Sequence, residues 1–93
     1  MNVDPATLHV PGGRLSGADP YKLQRQIAKH GTSIVGMRPI EVSRGTDGEL
    51  VINDGVTRAT RVAQFLPGLL LTVEVIDTLP IPGAKFPTIG ELL

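Results

Sequence analysis

Residues Glu49 to Phe65 read ELVINDGVTRATRVAQF, and this stretch predicts a short buried strand that turns directly into a helix. The tight turn at 53–55 leaves the first N–H groups of the helix without backbone partners, at the positive end of the helix dipole. Arg58 and Arg61 follow, three residues apart, so they can share one surface. Such a corner is a ready site for an anion, and phosphate is the usual one. The alternative is a structural turn with two solvated arginines.

A first helix is predicted earlier in the chain, over 20–30. Asp19-Pro20 supplies a capping carboxylate and a proline at the first helical position. Gly31 is a natural C-terminal stop. Leu23 and Ile27 are predicted to face inward. The opposite face is predicted to be solvated and carries three basic residues: Lys22, Arg25 and Lys29.

Three strands are predicted around the two helices. The alternating run at 40–43 predicts a half-exposed strand, which a hairpin turn at 45–48 joins to the strand at 49–53. The β-branched run at 69–76 predicts a central or strongly paired strand. The second helix begins near Gly55, and its predicted buried stripe is Val56, Ala59, Val62, Ala63 and Leu66.

This order of elements predicts an α+β fold, a small mixed β-sheet with two helices, in a single domain spanning 1–93. The core is predicted over about 8–77, with a weak first strand at 8–10. The Pro-rich C-terminal tail, 78–93, is predicted to be extended or irregular, with residues 91–93 available to dock on the body or on a partner.

Composition excludes several classes of function. The chain has 93 residues and no cysteine, so disulfides, thiolate metal sites and cysteine nucleophiles are excluded. Nine basic residues balance nine acidic ones, whereas a non-specific nucleic-acid binder normally has a strong basic excess. The apolar run at 69–73 is too short to span a bilayer, and no signal peptide is evident. The chain is therefore predicted to be cytoplasmic, with no membrane association.

Four short motifs, in order, resemble those of the ParB/sulfiredoxin superfamily, also called the ParB-like nuclease domain. They are ADPYKLQRQI at 18–27, PIEV at 39–42, INDGVTRA at 52–59 and VEVI at 73–76. The third is similar to the family's G-x-x-R corner. The resemblance implies a ParB/sulfiredoxin-like fold in which the corner from Gly55 to Arg58 receives nucleotide phosphates, from ATP in sulfiredoxin and from CTP in ParB.

The same resemblance excludes the best-known reaction of the family for this chain. Val56 stands at the position of the catalytic cysteine of sulfiredoxin, and Thr57 at that of its histidine. A valine cannot accept a phosphoryl group or act as a redox nucleophile, so sulfiredoxin reductase activity is excluded. ParB's second phosphate motif and its helix-turn-helix domain have no counterpart in these 93 residues.

Six residues are predicted to bind the phosphates: Gly55, Val56, Thr57, Arg58, Arg14 and Arg61. Arg58 either contacts the ligand or pairs with an acidic neighbour such as Asp54 and orients the corner. Asp54 or Asn53 is predicted to cap the helix. Of the six residues, Arg61 is predicted to serve more as a surface or partner contact than as a direct contact of the phosphates. Thr57 either donates a hydrogen bond from its hydroxyl to a phosphate or is a surface residue of the first turn with no role in binding. Arg14 follows a Gly-Gly turn in the segment that leads toward the family's ligand pocket.

Three functions remain open. The first is a small ParB-like module that binds a phosphorylated ligand, either a nucleotide or a nucleic acid; the implied cofactor is a nucleoside triphosphate with Mg²⁺. The second is a ParB-like nuclease or nucleotide hydrolase, although no acidic residues have the spacing of a known metal site. The third is a non-catalytic interaction module, in which the tail ending in Leu92-Leu93 forms a homodimer or docks on a partner.

Overall fold

The computed structural model describes residues 1–93 and contains four strands and three α-helices. The strands are β1 (Asn2–Val3), β2 (Ile40–Arg44), β3 (Leu50–Asp54) and β4 (Leu71–Thr78). The helices are α1 (Pro20–His30), α2 (Val56–Phe65) and α3 (Ile89–Leu92). The strands form one mixed sheet in the order β1-β4-β2-β3. The predicted α+β class is confirmed, with one helix more than expected.

The sheet is mixed because β2 has a different partner on each side. It pairs antiparallel with β3, through the predicted hairpin, and parallel with β4. Val42 lies opposite Ile52 on one side and Val75 on the other. The β-branched strand β4 is internal, between β1 and β2, as predicted.

The core lies where α2 covers the sheet. The predicted stripe of α2 is buried at Val56, Ala59, Val62 and Ala63, while Leu66 is half-buried. These side chains pack against buried residues of the sheet that include Ile40, Val42 and Ile52.

Helix α1 has the predicted bounds, 20–30. Asp19 caps it, since Oδ1 accepts hydrogen bonds from the N–H groups of Tyr21 and Lys22 at 2.8 and 3.4 Å. The helix packs against α2. None of its residues is fully buried, and Leu23 and Ile27 are only half-covered. Helix α1 is therefore held from one side only, which leaves much of it free to form the wall of a cleft.

The predicted weak strand at 8–10 is reduced to one bridged residue, His9, which pairs with Val51 and with Thr88. A 3₁₀ turn at Pro5–Thr7 and the following Pro11 leave no room for a longer strand. Strand β1, which the sequence did not reveal, has only two residues.

The prediction that 78–93 is an irregular tail outside the core is wrong. This segment contains a 3₁₀ turn at Gly83–Lys85 and helix α3. Thr88 and Glu91 form a capping box at the start of α3, and Ile89 is only 1% exposed in the core. The prolines around 80–87 interrupt regular structure, but the chain still packs against the body because its backbone finds partners there. The N–H of Ile89 donates to the carbonyl oxygen of Leu8 at 2.9 Å.

No helix of the structure has the length and the apolar composition that crossing a membrane requires.

Candidate anion-binding site

One cleft of about 620 Å³ lies between α1, the loop at 31–38 and the start of α2. The structure brings all six residues predicted for the site into the wall of this cleft: Arg14, Gly55, Val56, Thr57, Arg58 and Arg61. They come from two segments far apart in the sequence. Their meeting is therefore a result of the fold and not of their local spacing.

Gly55 is the N-cap of α2 and has left-handed backbone angles, φ 117° and ψ 20°. No side chain caps the helix, and the first N–H with a partner in the helix is that of Ala59, which donates to the Gly55 carbonyl at 2.8 Å. The N–H groups of residues 56–58 therefore lie free at the positive end of the helix dipole. Val56 contributes only backbone here, because its side chain is buried in the core.

The prediction that Asp54 caps α2 is wrong. Gly55 occupies the N-cap, so Asp54 lies one residue too early and points to two arginines instead. Its Oδ2 atom lies 3.2 Å from Nη2 of Arg58 and 3.3 Å from Nη2 of Arg38. Arg58 thus forms the ion pair that the sequence offered as the alternative to ligand binding. Two cations share one carboxylate, which leaves positive charge uncompensated.

The Arg58 side chain is well held, being only 15% exposed. Its Nη1 donates to the carbonyl oxygen of Arg38 at 3.4 Å. A Cβ atom at position 55 would lie 2.9 Å from Arg58 Nη2 and 2.7 Å from Cδ1 of Ile40. The positive φ at this position favours glycine, and a Cβ atom here would also force the ends of the Arg58 and Ile40 side chains to move.

Arg61 was predicted to be a surface or partner contact, and this is wrong. It is 2% exposed, and Nη1 donates to the carbonyl oxygens of Gly31 and Ser33 at 2.8 and 2.9 Å. Burial lowers the pKa of its guanidinium. Arg61 ties the loop after α1 to α2. Periodicity alone could not reveal this, because the loop that it meets lies 28 residues or more away in sequence.

Arg14 and Lys22 supply further positive charge on the cleft wall. Arg14 ends a 3₁₀ turn, Gly12–Arg14, and is exposed. Lys22 was predicted to be part of a solvated face; it is exposed, but that face of α1 borders the cleft. Thr57, in the first turn of α2, is half-buried and also reaches the cleft.

The cleft is much more basic than the chain as a whole. Five basic side chains line it: Arg14, Lys22, Arg38, Arg58 and Arg61. Two carboxylates, Asp19 and Asp54, oppose them, whereas the whole chain has zero formal charge. Arg38 was missed because it lies in a loop without a motif. No group of three or more His, Cys, Asp or Glu side chains is placed to hold a metal ion.

Comparisons with protein-family models, with curated proteins and with solved structures find no match to this chain.

Proposed function

We propose that this chain is a ParB/sulfiredoxin-like module that binds a phosphate-bearing ligand, a nucleotide or a nucleic acid, in the basic cleft. The observation that carries the proposal is the convergence of five basic side chains and the uncapped N-terminus of α2 on one cleft. Phosphate oxygens accept charge-assisted hydrogen bonds from guanidinium groups and bonds from free helix N–H groups. A single anion would accept hydrogen bonds from the guanidinium groups and from the free helix N–H groups at the same time.

The size of the cleft supports a small ligand. Its volume of about 620 Å³ lies within the roughly 300–1,000 Å³ that is usual for small-molecule sites. The motif resemblance at Gly55 and Arg58 adds the nucleoside triphosphate as the first candidate. Mg²⁺ binds such ligands mainly through their phosphates and retained water, so it needs no cage of protein ligands.

Calorimetric titration of the parent chain with ATP, CTP and tripolyphosphate, each with Mg²⁺, tests the proposal. We expect Arg58→Ala to weaken binding by about tenfold or more, since a hydrogen bond to a charged group contributes about 1.5–3 kcal/mol. Arg25→Ala is the matched control, because Arg25 is an exposed arginine of α1 outside the cleft. Absence of binding by the parent chain, or equal affinities for the parent and Arg58→Ala, would refute the proposal.

The other predictions from the sequence are separate from this proposal. Hydrolysis of a bound nucleotide, nuclease activity, a homodimer and a cytoplasmic location all stay predictions. Incubating the parent and Arg58→Ala with nucleotides and plasmid DNA, with Mg²⁺ or a chelator, separates a binding module from an enzyme.

A further inference from the structure

The positive charge of the chain is concentrated in one segment beside the cleft. Residues 20–38, which comprise α1 and the loop after it, contain four basic residues and no acidic one, whereas the other residues carry five basic against nine acidic. The zero formal charge of the whole chain therefore conceals a local surplus. A polyanion responds to this surplus, because charges act on one another only within a Debye length of roughly 8–10 Å.

The basic surface of α1 continues past the wall of the cleft. Lys22 and His30 border the cleft. Tyr21, Arg25 and Lys29, which follow one another at four-residue spacing, form the neighbouring row of the helix surface. All three are exposed. Positive charge therefore runs from the cleft onto the outer face of α1.

Tyr21 adds an accessible aromatic ring to this basic face. It is the one tyrosine of a chain with two phenylalanines and no tryptophan, and it is 71% exposed. The guanidinium carbon of Arg25 lies 5.8 Å from the centroid of its ring, within the range of a cation–π contact. Proteins that bind single-stranded nucleic acid combine these two features, since bases stack on aromatic rings while basic side chains follow the backbone.

We infer that the partner is a single-stranded nucleic acid, with one phosphate group in the cleft and the adjoining strand across the outer face of α1. This inference rests on the proposed phosphate binding and names its polymer form. Lys22 and Lys29 are seven residues apart, about 10 Å along the helix axis, so they can contact different phosphates of one strand. On this arrangement the outer row of α1 acts on a strand and not on a mononucleotide.

The Tyr21 ring distinguishes this partner from other polyanions. An acidic peptide matches the charges of α1 but supplies no base to stack on the ring. A duplex keeps its bases paired and stacked on one another, whereas a single strand can turn an unstacked base toward an aromatic side chain.

The test measures fluorescence anisotropy of a labelled oligothymidylate of about 12 nucleotides, of its duplex with oligoadenylate, and of an oligoglutamate of similar length. The variants are Tyr21→Leu and Lys29→Gln. Phe65→Leu is the matched control for the ring, at an exposed aromatic of α2 outside the cleft. Lys85→Gln is the control for charge, at an exposed lysine outside the cleft. Circular dichroism melting confirms that each variant is folded, and calorimetry with tripolyphosphate measures whether its cleft is intact.

We expect the parent to prefer the single strand to the duplex and to oligoglutamate. Tyr21→Leu should weaken oligothymidylate binding about tenfold, the loss typical of one base–aromatic stack, and leave tripolyphosphate affinity unchanged. Lys29→Gln should reduce the slope of log affinity against log salt by about 0.7, the value for one phosphate contact on a single strand. The two control variants should change neither quantity.

Duplex or oligoglutamate binding as tight as that of the single strand overturns the inference. Equal oligothymidylate affinities for Tyr21→Leu and Phe65→Leu overturn it too. If oligothymidylate fails to bind while tripolyphosphate binds and depends on Arg58, the inference is overturned and the proposed function stands. Failure of every probe, tripolyphosphate and free nucleotides included, refutes the proposed function itself.

Discussion

Asp54 acts as an internal counter-anion in the basic cleft. Its Oδ2 atom accepts hydrogen bonds from both Arg58 and Arg38, and the carboxylate is itself 55% exposed. A phosphate group bound as proposed would compete with Asp54 for the same two guanidinium groups. On the proposed function, Asp54 therefore lowers the affinity of the cleft for an anion.

Replacing this carboxylate by an amide should tighten binding. We expect Asp54→Asn to raise the affinity for tripolyphosphate about two- to fivefold, because an exposed ion pair contributes about 0.2–1 kcal/mol and its repulsion of the ligand is of similar size. The gain should shrink at high salt, where exposed charges are screened. Asp77→Asn, at an exposed carboxylate outside the cleft, should change nothing. Weaker binding by Asp54→Asn would mean that the ion pair is needed to hold Arg58 in place.

At the scale of elements, the short helix α3 is held in the structure by its packing against the core. Its length of four residues is too small for independent stability, so packing must hold it in place. Ile89 enters the core beside Leu8 and Val10, and Gly90 lies so close to Ala6 that a Cβ there would be 3.0 Å from its carbonyl oxygen. His9 adds a further tie, with Nδ1 2.6 Å from the carbonyl oxygen of Phe86.

This packing predicts that the C-terminal segment contributes to global stability. We expect Ile89→Ala to lower the free energy of unfolding by about 2–5 kcal/mol, as for other large-to-small core changes. Chemical denaturation followed by circular dichroism measures the effect. Leu93→Ala, at an exposed side chain of the same segment, is the control and should cost little. A neutral Ile89→Ala would show that the segment is a detachable tail, as the sequence suggested.

At the scale of the whole molecule, the hairpin turn between β2 and β3 is hydrogen-bonded to the C-terminal segment. Asp47 Oδ1 accepts hydrogen bonds from the N–H of Gly83 at 2.9 Å and of Glu49 at 3.1 Å. Its Oδ2 accepts one from the N–H of Ala84 at 3.0 Å. The Ala84 N–H, followed by those of Gly83 and Glu49, holds the pKa of Asp47 below its usual range. The turn and the segment 83–84 are 36 residues apart in sequence, so this contact closes much of the chain on itself.

The lowered pKa makes stability depend on pH in a defined direction. A carboxyl group whose pKa is lower in the folded state stabilises the fold above its unfolded pKa of about 4 and ceases to do so as the pH falls through the folded value. We expect Asp47→Asn to melt at a lower temperature than the parent at pH 7, with a gap that closes as the medium becomes acidic. Glu74→Gln, at an exposed carboxylate of β4, should show no such gap. A difference in Tm that stays constant across pH would contradict the role of the ionised carboxylate.

Local signals in the sequence were sufficient for α1, for α2 and for the glycine corner. Asp19 and Gly31 mark the two ends of α1 in the sequence, because capping depends on backbone groups within a few residues. The positions of Gly55 and Arg58 identified the uncapped start of α2, because the free N–H groups and the positive φ belong to one turn. The six predicted site residues do share a cleft, although the binding of a ligand there stays a prediction.

Only the tertiary structure decided what the charged and polar side chains do. Arg61 is buried because a loop 28 residues or more away presents carbonyl oxygens to it. The C-terminal segment packs against the core because Asp47 and His9, which lie far away in the sequence, provide hydrogen-bond partners for Gly83 and Phe86. The sequence by itself determined α1, α2 and the strands β2 to β4, since helix capping and the periodicity of apolar residues are local signals, whereas β1 and α3 form only where the fold supplies their partners. The concentration of five cations in one cleft of an uncharged chain depends on which surfaces meet, and long-range packing settles that.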